Sequence, residues 1–128
     1  MTTPSYCSNS SNSSNNDDGL VVLSLFDGIS CGRVALQRAG ISVKKYYACE
    51  KDANAMSITR FNHPDTIFVG SIEDISPATF DEDIDIIIGG SPCQGFSAHG
   101  TRTTFKHKES GLIHYFFKLI QFFKPKYF

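Results

Sequence analysis

The chain has 128 residues, 41% of them hydrophobic, and a formal net charge of −1. That composition suits one globular domain and carries no global signal for nucleic acid or a membrane surface. No apolar run reaches the length of a membrane span, the N-terminus lacks the basic and apolar regions of a signal peptide, and cysteines 7, 31, 49 and 93 form neither a CxxC pair nor a metal-ligand spacing, so reduced thiols, no metal and no membrane are expected.

Residues 1–18 are a Ser/Asn-rich stretch ending in Asp17-Asp18. Such a segment buries too little apolar surface to offset ordering, so a disordered tail is expected, with the folded part over 19–128. Leu20 to Phe26 is a continuous apolar run and reads as a buried parallel strand. A tight turn follows through Gly32. Arg33 to Ala39 then has helical character, with Val34, Ala35 and Leu36 expected inward and Gly40 at the C-terminal end. Val43 to Cys49 reads as a second strand. Asp52 to Phe61 reads as a helix capped by Asp52 and stopped by His63-Pro64. Thr66–Val69 and Ile84–Ile88 are the third and fourth expected strands. Glu109–Phe123 is a long expected helix, and Lys126-Tyr127-Phe128 opens a fifth strand. Strands alternating with helices predict an α/β fold with a parallel sheet.

Two places carry chemistry. Directly after the fourth run comes Gly89-Gly90-Ser91-Pro92-Cys93-Gln94-Gly95-Phe96-Ser97. The glycines suit a sharp turn, and Pro92 stiffens the chain before the cysteine. A thiol needs a polar, partly open setting to react as thiolate, and a loop at a strand end supplies it. Every neighbour of Cys93 serves loop geometry, which favours a nucleophile over a small buried hydrophobe. The second place is the end of the first strand, Phe26-Asp27-Gly28-Ile29-Ser30-Cys31-Gly32. In parallel α/β sheets ligands sit at the carboxyl ends of the strands. Gly28 and Gly32 let backbone pass close to a ligand. Glu50, about 20 residues on, stands where an acid can take both ribose hydroxyls. The spacing is not GxGxxG, which argues against a nicotinamide dehydrogenase.

Together these residues resemble the N-terminal half of cytosine-C5 DNA methyltransferases of the bacterial and phage type, over about Leu20 to Phe128. The Phe-Asp-Gly-Ile turn is also similar to that of the vertebrate de novo enzymes. The resemblance implies a Rossmann-like, S-adenosylmethionine-dependent methyltransferase fold. It implies that Phe26, Gly28, Gly32, Glu50, Ser71, Ile72, Pro92 and Leu112 surround that cofactor. The ring of Phe26 would contact adenine, Glu50 would bind ribose, and the backbone amide of Ile72 would read the adenine edge. Ser71 stands where the family has Asp, which leaves adenine recognition weaker or borrowed from Glu73 or Asp74. Cys93 is the implied catalytic nucleophile. It attacks C6 of a cytosine flipped out of DNA, and C5 takes the methyl group. Gln94 and Ser97 are candidate substrate contacts and equally serve loop hydrogen bonding. Arg102, Lys106, His107 and Lys108 suit phosphate contacts or a solvated loop.

The family carries a Glu-Asn-Val motif, an Arg-x-Arg motif and a target recognition region after this point. A truncated sheet is therefore expected, together with a complementing C-terminal half that supplies them. Without the acid at cytosine N3, attack should slow by about 10²–10⁴. The aromatic-rich Leu112–Phe123 stretch is apolar almost all round, so burial on most faces is expected, and association when it is not covered. The resemblance implies a location in the cytoplasm of a bacterial or phage-infected cell, or a nucleus. A degenerate, non-catalytic binding protein and an RNA cytosine-C5 methyltransferase are the rival readings.

Overall fold

The computed structural model describes residues 18–90 and 108–128, with side chains at 18–90 and 111–128. Its centre is a parallel sheet of β1 (Leu20–Leu25), β2 (Val43–Cys49), β3 (Ile67–Phe68) and β4 (Ile86–Gly89), in the spatial order β3-β2-β1-β4. Helices α1 (Cys31–Arg38), α2 (Ala53–Asn62) and α3 (Lys108–Phe123) join them, with single 3-10 turns at Ile72–Asp74 and Pro77–Thr79 between β3 and β4. The chain steps outward from β1 to β3, then returns to the other side of β1. That reversal is the topological switch of a doubly wound sheet. Tyr127 continues the sheet beyond β4 through one parallel bridge to Ile86. Its amide donates to the Asp85 carbonyl at 3.0 Å, and its carbonyl accepts from Ile87 at 3.1 Å. The expected fifth strand is thus present as its first rung.

Alternation of side chains across the strands builds two apolar layers. Val21, Leu23 and Leu25 share one face with Tyr47, Cys49 and Ile87, and are covered by Leu112 and Leu119 of α3 and by Ile72. Phe80 links that layer, edge-on to Tyr47 at 4.9 Å and to Phe123 at 5.1 Å, contacts worth about 0.5–1.5 kcal/mol each beyond their area. Val22, Tyr46 and Ala48 share the other face with Leu36 of α1. On the exposed side, Lys44 and Lys45 pair with Glu82 and Asp81, and the Tyr47 hydroxyl donates to Asp81 at 2.6 Å.

Several expectations shift. β1 ends at Leu25, and Phe26 belongs to the turn with φ 55°. In α1 only Leu36 is buried; Val34 is half-buried and Ala35 exposed. Three consecutive helical residues span about 200°, more than one face can bury. β3 is only two residues long, and β4 starts at Ile86, although Asp85 still donates to Val21 at 2.9 Å. α2 matches its expected cap: Asp52 accepts from the amides of Asn54 and Ala55. α3 is not buried on most faces. Leu112 and Leu119 are buried, while Tyr115, Phe117 and Phe122 are exposed, because the sheet offers α3 a single packing surface. The Ser/Asn-rich expectation for 1–17 lies outside the described residues.

Candidate active site

A parallel sheet delivers all its carboxyl ends to one edge. Here that edge is tied together strand by strand. The Val69 amide donates to Ala48 at 3.0 Å, the Asp27 amide donates to Cys49 at 3.1 Å, and Leu25 pairs with Gly89. The turn after β1 lies between the end of β2 and the end of β4.

That turn carries unusual backbone geometry. Phe26, Gly28 and Ser30 have φ of 55°, 61° and 65°. Glycine accepts this freely, whereas a bulky residue does so at a cost of about 1–2 kcal/mol. Glu50, directly after β2, reaches across: its Oε2 accepts from the Gly28 amide at 2.8 Å, and its Oε1 accepts from Lys51 and Asp52 at 2.8 Å each. Phe26, Gly28 and Glu50 are therefore brought together as the sequence led us to expect. Among the described residues other than its chain neighbours, no atom lies within 4 Å of where a Cβ would stand on Gly28, so that side of the turn is open.

Gly32 has a different reason. A Cβ there would sit 2.5 Å from Ile88 Cδ1 and 3.4 Å from the Tyr46 hydroxyl. It lets α1 pack closely on the sheet rather than making room for a ligand. Gly89 is likewise not the expected sharp turn: it closes β4, where a Cβ would meet the Leu25 carbonyl oxygen at 2.4 Å. Ser71 stands at the end of the β3 arm as the N-cap of the Ile72–Asp74 turn, its carbonyl accepting from Asp74 at 3.0 Å. Glu73 and Asp74 are exposed beside it. The Ile72 side chain is buried in the same cluster as Leu112, so only its backbone is placed to meet a ligand. Pro92, Cys93, Gln94 and Ser97 lie outside the described residues, as do Arg102, Lys106 and His107. Gly89, which closes β4 shortly before them in the sequence, pairs with Leu25 at the end of β1.

Sequence reasoning missed a buried polar cluster behind the turn. Asp27 accepts from Ser30 Oγ at 2.5 Å and from the Tyr46 hydroxyl at 2.8 Å, and Ser30 Oγ lies 3.0 Å from Thr59 Oγ1 on α2. Burial raises the Tyr46 phenol above its ordinary range, and its bond to Asp27 adds to this. The visible signal was an Asp in a Gly turn; Tyr46 and Thr59, which complete the cluster, come from other elements. Burial also pushes the Cys49 thiol up to about 12, which leaves it inert beside this site. Among the described residues no His, Cys, Asp and Glu group could hold a metal ion, and no helix is long and apolar enough to cross a membrane.

Residues 20–128 match the family model of the C-5 cytosine-specific DNA methylases. Type II methyltransferase M.CviJI of Paramecium bursaria Chlorella virus IL3A is 37% identical over 105 residues, which are 81% of this chain and 28% of that protein. Type II methyltransferase M.Sau96I of Staphylococcus aureus is 36% identical over 111 residues, 84% of this chain and 25% of its own length. The chain thus spans between a quarter and a third of such relatives. In fold it is similar to a Spodoptera frugiperda DNMT2 mutant, with a TM-score of 0.63 and 21% identity over 80% of this chain and 31% of that one. The match over all four strands and the turn that Glu50 clasps establishes that the chain belongs to the C-5 cytosine-specific DNA methylase family.

Proposed function

We propose that this chain carries the cofactor site and the nucleophile of a DNA cytosine-C5 methyltransferase that uses S-adenosylmethionine. The observation that carries the reading is the order of groups along the sheet edge. Ser71 and Ile72 follow β3, Glu50 follows β2 and the Phe26–Ser30 turn follows β1, and in the sequence Cys93 comes shortly after β4. Three strand spacings make about 14 Å, a span suited to a nucleoside with an amino-acid tail. Its reactive end would lie at the switch point, nearest the cysteine.

The residues fit such a group. Gly28 is open on one side, and the Glu50 carboxylate already stands beside it. Phe26 would face adenine, Glu50 would take the ribose hydroxyls, and the Ile72 amide would meet the adenine edge, with Pro92 and Leu112 closing the pocket. S-adenosylmethionine supplies, when bound, an electrophilic methyl group on a sulfonium. Cys93, as thiolate, adds to cytosine C6 and pushes electron density to C5. After methylation, loss of the C5 proton and departure of the thiolate restore the ring. Gln94 and Ser97 would steady the flipped base. A C-terminal half would bring the acid for cytosine N3 and the target recognition surface.

The test pairs calorimetric binding of S-adenosylmethionine with transfer of its labelled methyl group to unmethylated duplex DNA, with an RNA arm. The transfer assay uses the chain with and without the C-terminal part of a relative. Binding that survives Cys93→Ser, with transfer to DNA abolished, is expected. Transfer unaffected by Cys93→Ser, or no cofactor binding, sinks the reading. Transfer to RNA alone moves the substrate class.

A further inference from the structure

We propose that Thr59, Ser30, Asp27 and Tyr46 form a positioning relay that holds the Phe26–Ser30 turn in its ligand-binding shape from behind. Helix α2 then sets cofactor affinity without touching the cofactor. The inference rests on the cofactor reading above and adds to it a residue set on the opposite side of the turn.

Counting protons gives the relay a direction. Asp27 is the acceptor at both of its side-chain contacts. It takes the Tyr46 hydroxyl at 2.8 Å and the Ser30 hydroxyl at 2.5 Å. The single Ser30 proton is thereby used, so at the 3.0 Å contact Thr59 Oγ1 must donate to Ser30 Oγ. The chain of donation runs from α2 through Ser30 to the turn, and from β2 directly to it. All four groups are buried: Ser30 and Thr59 are 0% exposed, Tyr46 1% and Asp27 9%. A buried polar group left without a partner is strongly disfavoured, so each member constrains the next.

A second observation points the same way. Ser30 occupies the N-cap of α1, where serine ordinarily caps an amide of the first turn with its hydroxyl. Here it makes no side-chain cap bond and adopts φ 65° instead. The hydroxyl serves Asp27 in place of the helix amides. Phe26 and Gly28 are also at positive φ, so the turn tends to relax unless something fixes it. The Glu50 clasp on the Gly28 amide lies on the ligand side and is the hold a ribose would compete for. The relay lies on the other side and persists when a ligand binds.

Thr59→Val removes the first donor while keeping shape, Thr59→Ser restores it, and Tyr46→Phe removes the second donor. For each, binding of S-adenosylhomocysteine is measured by calorimetry, and exchange of the Asp27, Gly28 and Ser30 amides is followed without ligand. Thr59→Val and Tyr46→Phe should weaken binding about 10-fold, or 1.4 kcal/mol. They should also speed exchange at those amides while β1 amides stay protected. Thr59→Ser should return both readouts close to wild type. A folded Thr59→Val or Tyr46→Phe with wild-type affinity and exchange overturns the relay. If the wild-type chain binds no S-adenosylhomocysteine, the cofactor reading fails separately. Exchange then decides the relay alone: faster turn exchange in the variants keeps it, and unchanged exchange removes it.

Discussion

Gly89→Ala tests how closely β4 is fitted to β1. A Cβ at 89 would stand 2.4 Å from the Leu25 carbonyl oxygen, 3.0 Å from Leu25 Cβ and 3.1 Å from Leu25 C, and real Cβ contacts essentially never fall below 3.0 Å. The nearest obstacle is backbone, so no rotamer change relieves it. β4 has to move by about half an ångström or more at a point where two parallel strands stand ~4.8 Å apart. The move strains the four-residue Val22–Leu25 ladder with Ile86–Gly89. Overpacking of this kind costs about 2–3 kcal/mol, a large share of a domain's typical 5–15 kcal/mol. The same substitution at Gly111, in α3, meets no described atom within 4 Å and should gain about 0.5–1 kcal/mol from helix propensity. Urea unfolding followed by circular dichroism reads both. A Gly89→Ala midpoint within about 0.5 kcal/mol of wild type, at unchanged slope, refutes the claim that only glycine fits there.

Two further expectations concern ionisation. The Cys49 thiol is held protonated up to about 12 by burial, from an ordinary 9.0. A raised folded pKa means stability is present below pH 9 and declines as pH rises toward 12. Cys49→Ala should flatten part of that alkaline decline, the rest belonging to Tyr46 and Tyr47, whose phenols are also raised. Alkylation mapped by peptide mass spectrometry should label exposed Cys31 in the native chain, and Cys49 only in denaturant. At the surface, Lys45 and then Tyr47 hold the Asp81 carboxyl down at about 2. Its contribution is present above the ordinary 3.8 and lost as pH falls through 2. Asp81→Asn should lower the melting point slightly at neutral pH, less in high salt, and progressively less as pH falls through 2.

What the sequence disclosed depended on how local each cause is. Leu20–Leu25 is legible because a central parallel strand buries both faces and so reads as an unbroken apolar run. Asp52 is legible because a cap is made within three residues. Glu50 was found because the distance from β1 to the acid is set by one βαβ unit. The reasons for Gly32 and Gly89 were not legible: Ile88 and Leu25 are their obstacles, and those contacts exist only after the sheet forms. The Ser30 position looked like part of an ordinary turn because the groups that complete its cluster, Thr59 bonded to Ser30 and Tyr46 bonded to Asp27, come from α2 and β2. β3 was over-read because Thr66 and Val69 have strand composition, while only Ile67 and Phe68 stand in register with β2 and Val69 adds a single amide bond to Ala48.

Phe26 separates the two things a residue at this turn must do. Its ring packs beside the first core layer, and its backbone holds φ 55°. Alanine and glycine both delete the ring, so their difference isolates the backbone. At an ordinary position glycine is less stable than alanine by about 0.5–1 kcal/mol, because it loses more freedom on folding. At positive φ that order should invert, since the Cβ of an L-residue is what opposes the conformation. Phe26→Gly should therefore be more stable than Phe26→Ala by about 1 kcal/mol, with both below wild type from lost packing. Binding should not follow stability. If the ring meets the adenine of the cofactor, both variants lose affinity for S-adenosylhomocysteine alike. Alanine outlasting glycine in urea would mean the turn is not held at positive φ. A glycine variant that binds as tightly as wild type would remove the ring from the site while leaving the backbone argument intact.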